Sequence, residues 1–122
     1  MGIFYTFKFI TGPRQEMRVN TTDLNDANYA EHISDTKNGI LLFQKKLCPH
    51  CLNMKKVIEK FIANGNETLP VMYIDSEESP GAMSDLSIER VPALLIIKNG
   101  KVAAKYVGLM NPRRLAVMYK DA

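Results

Sequence analysis

Along this chain, short apolar runs alternate with stretches in which apolar residues recur every three or four positions. Ile3 to Ile10, rich in Phe, Tyr, Ile and Thr, reads as a strand. Thr11-Gly12-Pro13-Arg14 is a turn signal, and Glu16 to Asn20, with Met17 and Val19 alternating, reads as the second strand of a hairpin. Thr22 or Asp23 is a candidate cap for a helix running to about Lys37. Leu24, Ala27, Ala30 or His32, and Ile33 would face the core, with Asn38-Gly39 as the stop. Ile40 to Gln44 lacks alternation, as expected of a central strand covered on both faces.

Cys51, Met54, Ile58, Phe61 and Ile62 then mark one face of a helix that stops at Gly65. Leu69 to Ile74 is a further strand ending at Asp75, Ser79-Pro80-Gly81 punctuates, and Ala82 to Ile88 makes a short helix. Val91 to Lys98 reads as a strand, Asn99-Gly100 as a tight turn and Lys101 to Val107 as its hairpin partner. Asn111 caps a last helix, Arg113 to Lys120, with Pro112 at its first position. The order β–β–α–β–α–β–α–β–β–α is that of an α/β fold with helix crossovers, closed by a hairpin and a terminal helix.

Composition narrows the function classes. A chain of 122 residues with 46% hydrophobic and 24% charged residues is expected to be one globular domain spanning its length, and a monomer. A net charge of +3, with acids scattered among the bases and no basic stripe with aromatics, gives no ground for a nucleic-acid partner. No apolar run approaches the ~20 residues that cross a bilayer, so no membrane role is expected. Met1 to Ile10 lacks a basic n-region and an unbroken apolar core, which makes a cytoplasmic protein the default expectation.

The chemistry concentrates at Leu47-Cys48-Pro49-His50-Cys51, which holds both cysteines of the chain at the junction of a strand and a helix. In a reducing compartment, a lone Cys-x-x-Cys there is more plausibly a redox pair than a structural cross-link. Pro49 suits the first helical turn, where its missing N–H has no partner to lose. Cys48 then sits at the helix N-terminus, where free N–H groups and the dipole favour a thiolate, so it is expected to titrate below an ordinary cysteine and to act as nucleophile. Cys51, about one turn on, is expected to be more buried and to resolve the mixed disulfide. His50 adds partial positive charge and a ring N–H.

Two other classes are weighed against this. A structural zinc site wants four ligands; the Cys pair supplies two, His50 is poorly placed to join both, and His32, on another helix, reads as a structural or surface residue. Only a metal shared across a dimer would complete the set. A binding module without turnover would not need both cysteines.

This pattern resembles the thioredoxin family from roughly Glu16 to the C-terminus. The resemblance rests on Cys48-Pro49-His50-Cys51, Tyr73-Ile74-Asp75, the run Val91-Pro92 through Asn99-Gly100 to Val102, and Gly108. It implies a thioredoxin-like α/β fold with a central mixed sheet, to which Ile3 to Ile10 would add an extra N-terminal strand. It also implies a cis Val91-Pro92 bond beside the disulfide, with the Val91 backbone free to pair with an extended substrate segment. By the same resemblance Leu47, Val91, Val107 and Gly108 form a shallow apolar rim around Cys48. The implied activity is reduction of protein disulfides through Cys48 and Cys51. The disulfide itself is the redox centre, without metal or other cofactor, and a thioredoxin-reductase-like protein or another thiol donor resupplies electrons. A glutaredoxin fits less well, since no glutathione-site motif beyond Pro92 is visible.

The chain departs from the family pattern at six positions. Leu47 replaces a Trp, and Pro49-His50 replaces Gly-Pro. Leu42 and Val71 replace the buried acid and lysine, and Lys56 replaces a helix proline. Pro-His resembles the dipeptide of DsbA-type oxidases, which makes a disulfide oxidase or isomerase of raised potential the alternative function. The helical insertion of those oxidases is missing.

Overall fold

The structure, a computed structural model, describes residues 20–65 and 68–122. The strand expected over Ile3 to Ile10, its turn, and most of the strand expected from Glu16 fall outside the described residues. Within them run β1 (Asn20–Leu24), α1 (Tyr29–Ser34), β2 (Asn38–Gln44), α2 (Pro49–Ala63), β3 (Pro70–Asp75), α3 (Pro80–Asp85), β4 (Ala93–Lys98), β5 (Lys101–Val107) and α4 (Pro112–Asp121). The strands form one mixed sheet in the order β1-β3-β2-β4-β5. β1 and β2 pair parallel with β3, while β4 runs antiparallel to β2 and β5.

The uninterrupted apolar run at Ile40 to Phe43 is explained by helices on both faces. Ile40 and Leu42 point into a core with Met54, Ile58, Phe61 and Ile62 of α2 and Leu115 of α4. Leu41 and Phe43 point the other way, into a core with Ile33 of α1 and Ala82 of α3. All four strand residues are fully buried, and a side chain of this kind contributes about 1.5–3 kcal/mol through burial. The centre of the sheet is thereby fixed in register, and with it the loop that leaves β2 toward the cysteines.

The first expected helix is corrected. Thr22 and Asp23 do not cap it; they lie in β1, which pairs with β3 from Asn20↔Pro70 to Leu24↔Ile74. Thr21 and Thr22 are β-branched, and a neighbouring strand rewards that choice over a helix. The turn that follows is closed by side chains: Asn25 Oδ1 accepts from Ala27 N–H at 2.8 Å, and Asn28 Oδ1 accepts from Asn25 N–H at 2.8 Å. α1 therefore starts late and is short. Leu24 and Ile33 reach the core, whereas Ala27, Ala30 and His32 are exposed. Asn38-Gly39 opens β2 instead of ending α1.

Other expected elements move by a few residues. The short third helix begins at Pro80 and ends at Asp85, and β4 begins at Ala93, after the Val91-Pro92 bond. Asn99 and Gly100 form the hairpin turn with φ of 55° and 77°. The backbone N–H of Gly100 donates to Thr36 O at 2.8 Å, and a Cβ there would lie 2.6 Å from Ser34 O. Glycine is required by both the conformation and the close approach. Asn111 caps α4 as expected, its Oδ1 accepting from Arg114 N–H at 2.8 Å.

Candidate active site

β2 ends at Gln44 and β3 ends at Asp75, side by side in register, so both chains leave the sheet at the same end. Open parallel sheets bind their ligands at that end. The chain leaving β2 runs through Lys45, Lys46 and Leu47 and enters α2 at Cys48. Leu47 takes a left-handed backbone conformation, φ 55°, and its side chain is 100% exposed. A leucine held in that conformation and given wholly to solvent does nothing for the core.

Cys48 is the N-cap of α2, and Pro49 occupies the first turn. In place of the usual hydroxyl or carboxylate, the cap acceptor is sulfur: the backbone N–H of Cys51 donates to Cys48 Sγ at 3.2 Å. That donor and the positive end of a fifteen-residue helix both favour negative charge on this sulfur when the pair is reduced. The two cysteines form a disulfide, their Cα atoms 5.2 Å apart. They are not equivalent, because Cys48 is half-buried while Cys51 is 2% exposed. An incoming reagent meets Cys48. His50 is exposed in the first turn of α2.

The Val91-Pro92 peptide bond is cis. Ala93, which follows it, pairs with Phe43 near the end of β2 and with Val107 at the end of β5. The Val91-Pro92 loop and Gly108 thus lie at the same end of the sheet as the cysteine loop. Gly108 N–H donates to Pro92 O at 2.9 Å, tying the two segments together. Val91 is half-buried, Pro92 is buried, and Val107 keeps 40% of its surface exposed. Gly108 has φ 108°, and a Cβ built on it would meet no atom within 4 Å.

A cavity of about 410 Å³ opens beside the disulfide, lined by Cys48, Cys51, Gln44, Lys45, Lys46, Leu47, Leu52, Lys55 and Asp75. The sequence alone did not single out Gln44, Leu52 or Asp75 as site residues. Parallel pairing of β2 with β3 brings Gln44 and Asp75 there, and the signal was the position of each as the last residue of its strand. Lys55 lies four residues beyond Cys51 on the same helix, with its Nζ 4.8 Å from the centre of the Tyr73 ring. Lys46 and Glu78 approach at 3.7 Å as an exposed pair of little energetic weight. Among the described residues, no group of three or more His, Cys, Asp or Glu side chains is placed to hold a metal ion. No described helix is long and apolar enough to cross a membrane.

Comparison with known proteins agrees with this arrangement. The thioredoxin family pattern matches residues 20–121. A thioredoxin from Alicyclobacillus acidocaldarius is 26% identical over 101 residues, covering 83% of this chain and 96% of that protein. Bovine protein disulfide-isomerase A4 is 30% identical over 101 residues, which are 80% of this chain and 16% of that much longer protein. The solution structure of reduced desulfothioredoxin from Desulfovibrio vulgaris Hildenborough is similar at 42% identity and a TM-score of 0.70, covering 76% of this chain and 88% of the other. With the cysteine pair, the mixed sheet and these likenesses in agreement, the chain belongs to the thioredoxin family, as a thiol–disulfide oxidoreductase whose redox centre is the Cys48–Cys51 pair.

Proposed function

We propose that the chain is a single-domain, monomeric reductase of protein disulfides in which Cys48 attacks and Cys51 resolves. The observation that carries this reading is the inequality of the two sulfurs: Cys48 is reachable and serves as the helix-cap acceptor, and Cys51 is buried behind it. The Cys48 thiolate attacks one sulfur of a substrate disulfide and forms a mixed disulfide. Cys51 then attacks Cys48 Sγ, closes the intramolecular disulfide and releases the substrate as a dithiol. A separate reductase or another thiol donor returns the electrons. A cytoplasmic setting fits, since thiols there are kept reduced and a lone Cys pair turns over.

The cis Pro92 loop offers the Val91 backbone to an extended substrate strand, and Leu47, Val107 and Gly108 supply the apolar rim. Pro49 sets the first helical turn, and His50 stabilises the thiolate by its partial charge. The test is turbidimetric reduction of insulin by wild type and by Cys48→Ser. Loss of turnover in the variant is expected, and equal rates would reject the nucleophile assignment.

The Pro49-His50 dipeptide favours a second reading, an oxidase or isomerase of raised potential. A redox titration of the pair against glutathione separates the two. A potential near that of a cytosolic reductant supports the reductase, and a markedly higher one supports the oxidase.

A further inference from the structure

Resolution of the mixed disulfide requires Cys51 to lose a proton, and its surroundings on the core side offer nowhere to put one. Leu42 and Val71 are fully buried in the core under α2, the helix that carries Cys51. Tyr73 of that core, its phenol pushed up to about 12 by burial, keeps its own proton near neutral pH, and the buried Ser79 lies on another part of the fold. Burial without a partner disfavours a thiolate. The route out is the cavity beside the disulfide, which is roomy enough for several waters at ~30 Å³ each. One carboxylate lines that cavity together with both cysteines.

That carboxylate is Asp75. It is half-buried at the end of β3, and β2–β3 pairing fixes its backbone opposite Gln44. Its Oδ1 accepts the N–H groups of Glu77 at 2.8 Å and Glu78 at 3.3 Å, which anchors the side chain through a single oxygen. The charged groups around it are Lys45 and Lys46 from the loop after β2, Lys55 from α2, and Glu77 and Glu78 from its own loop. Lys55, four residues beyond Cys51 on α2, lines the same cavity as both cysteines and Asp75.

We propose that Asp75 is the proton acceptor for Cys51, reached through water in this cavity. The step rests on the assignment of Cys48 as nucleophile. As Cys51 sulfur attacks Cys48 Sγ, its proton passes through water to the Asp75 carboxylate. The Cys48–Cys51 bond forms, and the bond from Cys48 to the substrate sulfur breaks. The electron pair leaves on the substrate thiolate, which takes a proton back from Asp75 or from solvent.

Ellman's reagent resolves the two steps on the full reduced chain. The first equivalent of thionitrobenzoate reports attack by Cys48, and the second reports resolution by Cys51. Asp75→Asn keeps an oxygen for the Glu77 and Glu78 N–H groups and loses only the base. It is expected to slow the second phase about tenfold or more near and below neutral pH, leave the first within about twofold, and change the pH profile of the second. Asp75→Glu is expected to restore much of the rate. An unchanged second phase and profile in Asp75→Asn would overturn the inference, as would equal slowing of both phases, which marks a structural role. A Cys48→Ser variant that keeps a fast first phase would instead reject the nucleophile assignment beneath it.

Discussion

Asp26 caps the helix α3 from 56 positions away: its Oδ1 accepts Ala82 N–H at 2.8 Å and its Oδ2 accepts Gly81 N–H at 3.0 Å. Ser79, the residue placed locally to do this, is buried and makes no side-chain cap bond. The turn after β1 is therefore held against the opening of α3. Asp26→Ala is expected to cost about 1–2 kcal/mol in urea unfolding, and Asp26→Asn less. A loss within measurement error would show that water replaces the cap without penalty.

Leu47 combines a left-handed backbone with a fully exposed side chain. Such a residue carries roughly 1–2 kcal/mol of backbone strain that glycine relieves. Leu47→Gly is expected to raise stability by up to ~1 kcal/mol and to raise KM for a protein disulfide severalfold, with kcat nearly unchanged. Steady-state insulin reduction and thermal melting check both halves. A KM equal to wild type would remove Leu47 from the substrate rim.

His50 is exposed one residue before Cys51. If its partial charge stabilises the Cys48 thiolate, His50→Ala lowers the reduction potential, because the reduced form loses that support. Each ~1.4 kcal/mol lost corresponds to about 30 mV for this two-electron couple. Equilibration with a thiol buffer of known potential, with the rate of Cys48 alkylation beside it, measures the change. A potential that stays put would leave Pro49 and the helix terminus as the source of any tuning.

Tyr73 has its phenol pushed up to about 12 by burial first, and then by the nearby Glu59 and Asp23 carboxylates. The sign follows from linkage. Below pH 10 both folded and unfolded states hold the proton, and the contribution is fully present. Between pH 10 and about 12 the unfolded chain ionises first, so stability falls as pH rises, by at most ~1.4 kcal/mol per pH unit. Tyr73→Phe is expected to flatten this part of the stability curve. Urea midpoints from neutral pH to the alkaline limit provide the test, and an unchanged slope would assign the alkaline loss to other groups.

Much of the site is legible in the sequence. Cys48-Pro49-His50-Cys51 at a strand-to-helix boundary carries its own geometry, since proline in the first turn and sulfur at the cap are local events. The Asn99-Gly100 hairpin and the Asn111-Pro112 helix start were legible for the same reason. Thr22 and Asp23 resemble a helix cap, but parallel pairing with β3 makes them strand residues. A neighbouring strand some fifty residues away leaves no trace in local propensity.

Short-range sterics and periodicity make the redox pair, the helical face of α2, the apolar central strands and the turns readable from neighbouring residues alone. The tertiary structure alone decided which residues converge from distant parts of the chain. It set Asp75 opposite Gln44 and on the cavity that both cysteines line, joined Gly108 to Pro92, and made Asp26 the cap of a helix it does not precede. The division has a physical cause. Torsional preferences and capping act over a few residues, while strand register and buried packing are fixed only when segments far apart along the chain meet.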